Sequence, residues 1–473
     1  MKVVLVEVVP EKDALTMNLV PPLGLGYIAS SLEAAGFSVA LIEGVRYDFS
    51  LDKALELIKQ EKPDVVGFST TTQARLKAVE LIRKVKVATR ALTVAGGAHF
   101  HATCFEALTA IPELDVVVKG EGEITLPELV RTFAARGDFR IVNGIVYRDN
   151  GTITETRERA PVTDLDALPI PAYHLYGLSK YSCTLEGTKI PAIGVISSRG
   201  CPNNCIFCAN RVLRKQTLRF RSPSKFVDEI AFLKHTYGYQ AFDFWDDTLT
   251  MSKEHITAIC QELLKRKLSI RWFARARVNT VSKNILTLMK KSGCFEIAYG
   301  IESGSEKILK VVNKGATLQQ AREAVRLSVE AGLRVSNFFI VSLPEETLSD
   351  IDETLKIMSE FKRLKNIRNY YCFAMIYPGT DLEARARQEK LLPDNFNWYA
   401  PFFCERNKII GNDPTIPCYE RRELTLEQIK AHIIKAQSLR DKTTKALKRL
   451  RGIKSFSEAR KLIGLFLKSS ADE

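Results

Sequence analysis

Short apolar runs alternate with amphipathic helical stretches through most of this 473-residue sequence. In the N-terminal third, five such runs predict buried strands, and the periodic stretches predict five helices. Buried strands that alternate with helices are typical of a doubly wound, Rossmann-like parallel sheet in an α/β protein. The predicted strands are Lys2–Val9, Ser38–Glu43, Asp64–Ser69, Leu92–Ala95 and Asp115–Lys119. The predicted helices are Leu25–Ala35, Leu51–Glu61, Ala74–Val87, Thr103–Ile111 and Leu126–Ala135.

The same alternation resumes at Ala192 and continues through six predicted strands. Repeated βα units close into full or partial barrels of the TIM type, so we predict a partial (β/α)6 barrel. Its strands are Ala192–Ser197, Ala241–Trp245, Ile270–Ala274, Glu296–Ile301, Arg334–Val341 and Asn369–Ile376. Its helices are Ser224–Tyr237, Lys253–Lys267, Lys283–Lys291, Leu318–Ala331 and Leu348–Arg363.

Two segments do not follow this pattern. Asn143-Gly144 and Asp149-Asn150-Gly151 predict a β-hairpin, and a proline-punctuated linker follows it. An aromatic stretch near residues 396–403 is expected either to cap an active site or to pack against the barrel. The predicted parts are residues 1–142, the Rossmann-like domain; 143–190, hairpin and linker; 191–390, the partial barrel; and 391–473, a mainly helical cap with a basic tail.

Three cysteines directly after the first barrel strand are the strongest chemical signal. Cys201, Cys205 and Cys208 have the spacing CxxxCxxC, which can bind three irons of an iron–sulfur cubane and leave the fourth iron open to a reactant. A structural zinc site is the alternative. It normally needs a fourth cysteine or histidine close by, and the nearest histidines, His174 and His235, lie well outside the loop.

Polar residues also mark the other barrel strands. They suit a ligand with a zwitterionic amino-acid head and a ribose, because arginine pairs with carboxylates and glutamate accepts hydrogen bonds from hydroxyl or ammonium groups. Any one of them alone is most often a solvated strand end, whereas several around one barrel mouth predict a ligand-lined cavity. They are Asp246, Asp247, Arg275, Glu302, Ser336 and Asn337.

Small and glycine-rich turns end the strands of the N-terminal sheet. Such turns let a large flat ligand and its polar tail approach the backbone, although ordinary βα turns have the same composition. The candidate ligand residues there are Leu23, Gly24, Ser69, Thr70, Thr71, Gly96, Gly97, His99, Gly120 and Glu121.

The central part resembles the radical S-adenosylmethionine (SAM) superfamily in GCPNNCIFCAN, RFRSP, FWDDTLT, GIESGSEKIL and YPGT. The resemblance spans roughly residues 190–390. It implies a [4Fe–4S] cluster on the three cysteines, with SAM chelated by the open iron. Phe207 would then shield the cluster beside the adenine. Arg275 and Glu302 would hold SAM with Ser336 and Asn337, and Asp246 and Asp247 would lie near the ribose or the substrate.

The N-terminal part resembles the cobalamin-binding domain that precedes many radical SAM enzymes, in PPLGLGYIASSLEAAGF, GFST, GGAH and KGEGE. The resemblance implies that the turns described above surround the corrin and its nucleotide tail. Many such domains carry a histidine that ligates cobalt from below, but the corresponding stretch, Glu43–Asp48, has none. Residues near Ser69–Gln73 are therefore expected to face the lower side of the cobalt. The barrel also departs from its relatives, because the turn Ser342–Thr347 lacks both glycines of a usual GLPGET.

Together the two resemblances imply a cobalamin-dependent radical SAM methyltransferase. Such an enzyme cleaves SAM reductively and transfers a methyl group from methylcobalamin to an unactivated carbon. One alternative is a cyclase or carbon–carbon bond-forming enzyme that acts on a tetrapyrrole or a lipid. Another is a cobalamin or iron–sulfur sensor. A methylthiolating enzyme is less favoured, because before the triad only Cys104 and Cys183 are available for a further cluster.

Charge and composition bear on location and partners. The net charge is +14, and the C-terminal residues 445–473, where basic and apolar residues interleave, carry +5 of it. This tail suits either a membrane surface or a solvated helix, and no nucleic-acid partner is expected. No run is apolar enough to span a bilayer and no signal peptide opens the sequence, so a cytoplasmic protein is expected, which a membrane-binding tail would make peripheral to the membrane. The implied partners are a small-molecule or lipid substrate and an external electron donor such as flavodoxin or ferredoxin.

Overall fold

A computed structural model describes residues 1–10, 20–48, 50–181, 183–184, 188–214, 217–405, 407, 413–436 and 438. The N-terminal strands are β1 (Lys2–Val8), β2 (Ser38–Ile42), β3 (Val65–Thr70), β4 (Leu92–Gly96), β5 (Val116–Val118), β6 (Ile145–Asp149) and β7 (Thr152–Glu155). The N-terminal helices are α1 (Leu23–Ala34), α2 (Leu51–Glu61), α3 (Arg75–Ala88), α4 (Gly97–Ala102), α5 (Cys104–Ala110) and α6 (Gly122–Ala134).

The seven N-terminal strands form one sheet in the order β2-β1-β3-β4-β5-β6-β7. The first five are parallel, and the predicted hairpin adds β6 and β7 as an antiparallel edge. The chain leaves β1 toward β2 on one side and returns to β3 on the other. The carboxyl ends of β1 and β3 therefore flank the point where ligands of open α/β sheets bind.

The central strands are β8 (Ala192–Val195), β9 (Ser198–Arg199), β10 (Arg219–Phe220), β11 (Ala241–Phe244), β12 (Arg271–Ala276), β13 (Cys294–Glu302), β14 (Arg334–Val341) and β15 (Ile367–Phe373). The helices that follow are α7 (Asn210–Arg214), α8 (Pro223–Tyr237), α9 (Lys253–Lys265), α10 (Lys283–Lys291), α11 (Glu306–Val311), α12 (Leu318–Glu330), α13 (Leu348–Phe361) and α14 (Asp381–Gln388). A further helix covers 426–436.

Six of these strands form an all-parallel sheet in the order β15-β14-β13-β12-β11-β8, and β9 and β10 make a separate two-stranded ribbon beside it. Sequential parallel order with helical crossovers is the arrangement of a partial barrel, so the predicted α/β class and its two sheets are confirmed. The ribbon brackets the cysteine loop. Sequence periodicity missed it because strands of two residues have no detectable pattern.

One apolar core runs through both units. Val3 and Leu5 of β1 belong to the same buried cluster as Phe244 of β11 and Trp272 of β12, with Tyr173 of the linker between the sheets. A contiguous core of this kind fixes the two sheets relative to each other, because shifting one would open voids in the packing.

The aromatic stretch after α14 packs on the N-terminal unit. Trp398 is 1% exposed, and its ring lies 6.0 Å from that of His99. Arg75 on α3 is fully buried beside it and donates from Nε to the Trp398 carbonyl at 2.7 Å and from Nη2 to the Thr415 carbonyl at 2.6 Å. The aromatic stretch is therefore tied to the first sheet, a contact that was not predicted. It also packs on the barrel unit, as the second predicted position has it, because Trp398 Nε1 donates to Glu383 Oε1 of α14 at 3.0 Å and shares a buried cluster with Leu382.

No helix among the described residues is long and apolar enough to cross a membrane. The basic stretch 445–473, predicted to favour a membrane surface, lies outside those residues.

Replacing Arg75 tests the tie between the C-terminal segment and the first sheet. The change Arg75→Leu leaves the carbonyls of Trp398 and Thr415 buried without a donor, so the free energy of unfolding should fall by roughly 3 kcal/mol. Urea unfolding measures it. The change Arg83→Leu, a half-exposed arginine on the same helix, is the control and should cost under about 1 kcal/mol. Equal losses in the two variants would contradict the tie.

Candidate active site between the two sheets

The three cysteines lie on one loop that begins directly after β9. Cys205 is 6% exposed, while Cys201 and Cys208 are partly buried, and all three are free thiols. Asn203 Nδ2 donates to the Cys201 sulfur at 3.2 Å. Burial raises the pKa of the Cys208 thiol, and the nearby Cys205 and Cys201 raise it further. The three sulfurs can bind a cluster only as thiolates, and the irons of the cluster would then compensate their charge.

Two aspartates at the end of β11 hold the loop in place. Asp246 is completely buried and accepts hydrogen bonds from Ser197 Oγ at 2.6 Å and Ser198 Oγ at 2.5 Å. Asp247 accepts from the Gly200 amide at 3.1 Å and from Asn210 Nδ2 at 2.7 Å. These contacts hold the chain just before Cys201 and just after Cys208. Both carboxylates, predicted to lie near the ribose or the substrate, are thus committed to the protein itself.

The residue before Cys201 has to be glycine. Gly200 has φ +98°, and a Cβ at this position would collide with the carbonyl oxygen of Thr217 on the approach to β10. The β9–β10 ribbon can therefore close over the start of the loop only at a residue without a side chain.

Glu302 ends β13 in a strained conformation with φ +73°, where the strand register shifts against β14. Its carboxylate is 9% exposed and pairs with Lys314 Nζ at 2.6 Å. The carbonyl of Lys314 in turn accepts from Arg277, and Arg277 Nη1 lies 3.5 Å from the Cys205 sulfur. Residues held in left-handed conformations cluster at functional sites. Arg277 lies two residues beyond Arg275, which places both on one face of the strand.

The inner face of the barrel is lined by a different set of residues. Arg275 is 40% exposed and makes a paired contact with Asp243 at 2.6 and 3.1 Å. Ser336 Oγ donates to Glu296 Oε1 at 2.5 Å on this face. Asn337 points the opposite way, because its Nδ2 donates to Asn369, which is itself bonded to the backbone of α13. The structure therefore brings Ser336 to the barrel interior but not Asn337.

Two aromatic rings that were not predicted as site residues are also presented here. Phe338 of β14 is 43% exposed and stacks on Tyr370 of β15, which is 37% exposed, with ring centroids 5.2 Å apart. Phe339, the next residue along, is buried against the helices. Large apolar rings left exposed on a strand whose other face is buried indicate a binding surface.

A cavity of about 400 Å³ opens where the two sheets meet. Its lining comes from the carboxyl-terminal ends of β1, β3, β4 and β5, from α1 and α6, and from the barrel. Of the predicted ligand residues, the lining includes Leu23, Gly24, Ser69, Gly96, Gly97, Gly120 and Glu121. Barrel residues complete the wall, namely Ile196, Arg199, Leu213 and Trp245. The remaining predicted residues, Thr70, Thr71 and His99, do not line this cavity.

His99 lies behind the cavity. Its ring is completely buried among Trp398, Tyr399 and Phe100, with Nδ1 3.3 Å from Thr72 Oγ1. His101 lines the cavity instead, and it was not predicted. Its Nδ1 accepts from the Gly120 amide at 2.6 Å, and its Nε2 lies 3.0 Å from the Val212 carbonyl just after the cysteine loop.

The cavity fits the nucleotide tail of a corrinoid. Its volume falls in the range of small-molecule sites, and its wall is mostly apolar with a few polar groups. Gly97 has φ +83°, and a Cβ there would lie 2.8 Å from Ser69 Oγ, so the glycine turns leave room that any side chain would fill.

Comparison with known proteins identifies the family. The radical SAM superfamily matches residues 195–358, and the B12 binding domain matches residues 16–130. An uncharacterized methyltransferase of Pyrococcus horikoshii is 33% identical over 379 residues, which cover 80% of this chain and 81% of the relative. The chain belongs to the radical SAM superfamily.

A further relative and a solved structure are also similar to this chain. An anaerobic magnesium-protoporphyrin IX monomethyl ester cyclase of Rubrivivax gelatinosus is 31% identical over 350 residues, covering 72% of this chain and 62% of the relative. The solved structure of the radical SAM methyltransferase TsrM from Kitasatospora setae, with cobalamin and a [4Fe–4S] cluster bound, shares the fold with a TM-score of 0.69. That match covers 82% of this chain and 78% of TsrM at 18% identity.

The matches confirm the predicted combination of a cobalamin-binding domain and a radical SAM barrel. They also confirm the predicted cofactors, which are a [4Fe–4S] cluster, SAM and cobalamin. The residues that contact each cofactor remain predictions.

Removing the Asp247 carboxylate tests its role as a clamp on the cysteine loop. The change Asp247→Ala frees the Gly200 amide and Asn210 together, and loss of such a supporting contact typically weakens metal retention at least about 10-fold. The reconstituted protein would be challenged with an iron chelator and the remaining iron measured. Asp228→Ala, which removes an exposed carboxylate on α8, should retain iron like the unaltered chain. Equal retention in the two variants would refute the clamp.

His99 makes stability depend on pH. Burial lowers its pKa to about 3, and the Arg75 charge acts in the same direction. The unfolded chain then binds more protons than the folded chain below about pH 6.5, so stability falls as the pH drops. Between pH 7 and pH 5 the loss from this residue is about 2 kcal/mol.

The variant His99→Gln should lack this component of the pH dependence, because glutamine does not protonate. Urea unfolding at the two pH values would measure it. Thr109→Ala, at an exposed threonine without a titratable group, serves as the control and should leave the dependence unchanged. A His99→Gln variant with the full pH dependence would show that His99 titrates normally.

Proposed function

We propose that this radical SAM enzyme is a cobalamin-dependent methyltransferase that methylates a carbon centre of a small molecule. The observation that carries the proposal is the cavity between the sheets, whose wall contains both the glycine turns of the N-terminal unit and Arg199 of β9, two residues before Cys201. A corrinoid held there would lie beside the loop that would hold the cluster, so a substrate between them could meet both cofactors. The methyltransferase relative from Pyrococcus horikoshii, matched over four-fifths of both chains, supports the same activity.

When bound, the cluster supplies the electron that cleaves SAM, and cobalamin supplies the methyl group. We propose that Cys201, Cys205 and Cys208 hold the cluster. Arg277, 3.5 Å from the Cys205 sulfur, donates to that sulfur and favours the reduced cluster. Asp247 fixes the loop at its two ends, through the Gly200 amide and the Asn210 side chain.

SAM is proposed to bind along the carboxyl-terminal ends of the barrel strands. Arg275 can give up its contact with Asp243 and pair with the carboxylate of SAM, because guanidinium groups form bidentate hydrogen bonds with carboxylates. Glu302, set by its strained backbone and by Lys314, offers a carboxylate to the ribose hydroxyls or the ammonium group. Phe207 is partly buried next to the cysteines and covers the cluster from solvent.

The cobalamin contacts are proposed on the cavity lining. Gly96, Gly97 and Gly120 let the nucleotide tail approach the backbone, and Ser69 offers a hydroxyl near the carboxyl end of β3. The Glu43–Asp48 turn contains no histidine, and of the segment 69–73 only Ser69 lines the cavity, so Ser69 is the residue of that segment that could contact the corrinoid.

The Phe338–Tyr370 stack is proposed to bind either the substrate or the adenine of SAM. Both rings are exposed at the level of Gly300 and just below Glu302, so a planar or apolar group would displace water from them. The electron would come from an external donor such as flavodoxin or ferredoxin. A basic tail over 445–473 would favour a peripheral membrane contact if the substrate is a lipid.

A second candidate is a ring-closing enzyme on a tetrapyrrole, favoured by the Rubrivivax cyclase match, which covers less than two-thirds of that relative. The products formed from SAM distinguish the two. A methyltransferase yields both 5′-deoxyadenosine and S-adenosylhomocysteine, whereas a cyclase of this type yields 5′-deoxyadenosine alone.

The test uses the reconstituted protein under anaerobic reducing conditions, with SAM carrying a deuterated methyl group and a small-molecule cell extract. The expected result is 5′-deoxyadenosine and S-adenosylhomocysteine together, with the label in a low-mass product. Formation of 5′-deoxyadenosine without S-adenosylhomocysteine would favour the cyclase. The absence of SAM cleavage would favour a sensor.

Replacing the three cysteines separates the two cofactors. The variant with Cys201→Ala, Cys205→Ala and Cys208→Ala should lose its iron and at least 100-fold of its 5′-deoxyadenosine formation, because the electron source is gone. It should still bind hydroxocobalamin, because the glycine turns of the cavity belong to the other sheet. Iron analysis, product quantification and visible absorbance measure these outcomes. Unchanged iron content and turnover would exclude the triad as the cluster site.

A further inference from the structure

One arginine connects the cysteine loop to the cavity. Arg199 lies in β9, two residues before Cys201, and its side chain, 9% exposed, lines the cavity. Its neighbours are fixed, since Ser198 bonds to Asp246 and the Gly200 amide bonds to Asp247. A displacement of Arg199 would therefore be transmitted to Cys201 through a short, rigid stretch of backbone.

Two glutamates from the first sheet hold this arginine. Arg199 Nη1 lies 3.1 Å from Glu121 Oε1, and Nη2 lies 2.7 Å from Glu123 Oε1. The guanidinium also stacks over the Tyr27 ring, 5.0 Å from its centroid. Glu121 and Glu123 begin helix α6 directly after the glycine turn that lines the cavity, so the contact joins the two units at the cavity wall.

A second arginine completes the cluster. Arg219, paired with Arg199 across the β9–β10 ribbon, contacts both oxygens of Glu121 at 2.8 and 3.0 Å. The Val162 amide adds a further donor to Glu121 at 2.8 Å. Burial acts to raise the pKa of Glu121, but the two arginines outweigh it and hold the pKa below its ordinary value. The glutamate is therefore ionised, and two positive and two negative charges balance.

The contacts of Glu121 differ from those expected of a cofactor ligand. Its two oxygens are taken by the two arginines and the Val162 amide, although it lines the cavity. Buried charges of this kind stay well placed only while all partners remain, because removing one leaves an uncompensated charge in a low dielectric. A ligand that fills the cavity excludes water from this wall and strengthens each ion pair.

We propose that Glu121, Glu123, Arg199 and Arg219 form a positioning cluster that couples occupation of the cobalamin cavity to the placement of the cysteine loop. The inference rests on the proposed function. By linkage, a protein whose cysteine loop is ordered by its iron–sulfur cluster binds cobalamin more tightly, and the coupling passes through Arg199.

The test compares the affinity for hydroxocobalamin of the cluster-loaded protein with that of the same protein stripped by a chelator. Absorbance titration measures both dissociation constants. In the unaltered chain the cluster-loaded form should bind at least about fivefold more tightly. The ratio should fall to about one in Glu121→Gln, which keeps the shape of the side chain but removes its charge. In Arg199→Lys, which cannot span both carboxylates, it should fall part of the way.

Glu323→Gln, at an exposed ion pair with Arg326, is the matched control and should keep the full ratio. Glu123→Gln provides a second disruption if Glu121→Gln does not fold. A ratio of about one in the unaltered chain overturns the coupling, and so does a full ratio in both glutamate variants. Failure of the unaltered chain to bind hydroxocobalamin in either form would overturn the proposed function as well, which distinguishes the two failures.

Discussion

The carboxylate of Glu121 joins the N-terminal sheet to the barrel through buried ion pairs. It lies at the start of α6 in the first sheet and is shared by Arg199 and Arg219, which flank the cysteine loop of the barrel. Apolar packing sets the distance between the two sheets, but it does not fix their relative orientation, because apolar contacts are not directional. Charged hydrogen bonds fix the orientation, because each requires its donor and acceptor within narrow limits. The cavity beside them exists because this orientation is maintained.

Some charged residues hold the cysteine loop in place, and others remain available to a ligand. Asp246 and Asp247 hold the loop from the barrel side, and Glu121 holds it from the other side. Groups that remain available to a ligand, such as Arg275 and the Phe338–Tyr370 stack, lie on the barrel interior with substantial exposure. Bonding, more than burial, separates the residues that position from those that could bind. The carboxylates of Asp246 and Glu121 each accept from several donors and have no capacity left for a ligand, whereas Glu302, though buried, is held by Lys314 at one oxygen.

Both sheets, the hairpin and the cysteine loop follow from local sequence patterns, and all appear in the structure. Sequence patterns could not predict hydrogen bonds between residues distant in the chain, such as the bond from Ser198 to Asp246. The placement of one pair could have been predicted. Ser336 and Asn337 are consecutive on a strand, so only one of them can face the barrel interior. His101 was not predicted because the residues after the glycine turn were read as a loop. They form the short helix α4, which holds both His99 and His101.

The arrangement requires that one chain hold two metal cofactors side by side. Anaerobic purification followed by analysis for iron, sulfide and corrinoid tests this most directly. A chain organised as described here should retain cobalamin in equimolar amount together with the iron and sulfide of one [4Fe–4S] cluster. A protein that takes up its cluster fully but retains no corrinoid, even after incubation with hydroxocobalamin, would contradict the assignment of the cavity between the sheets.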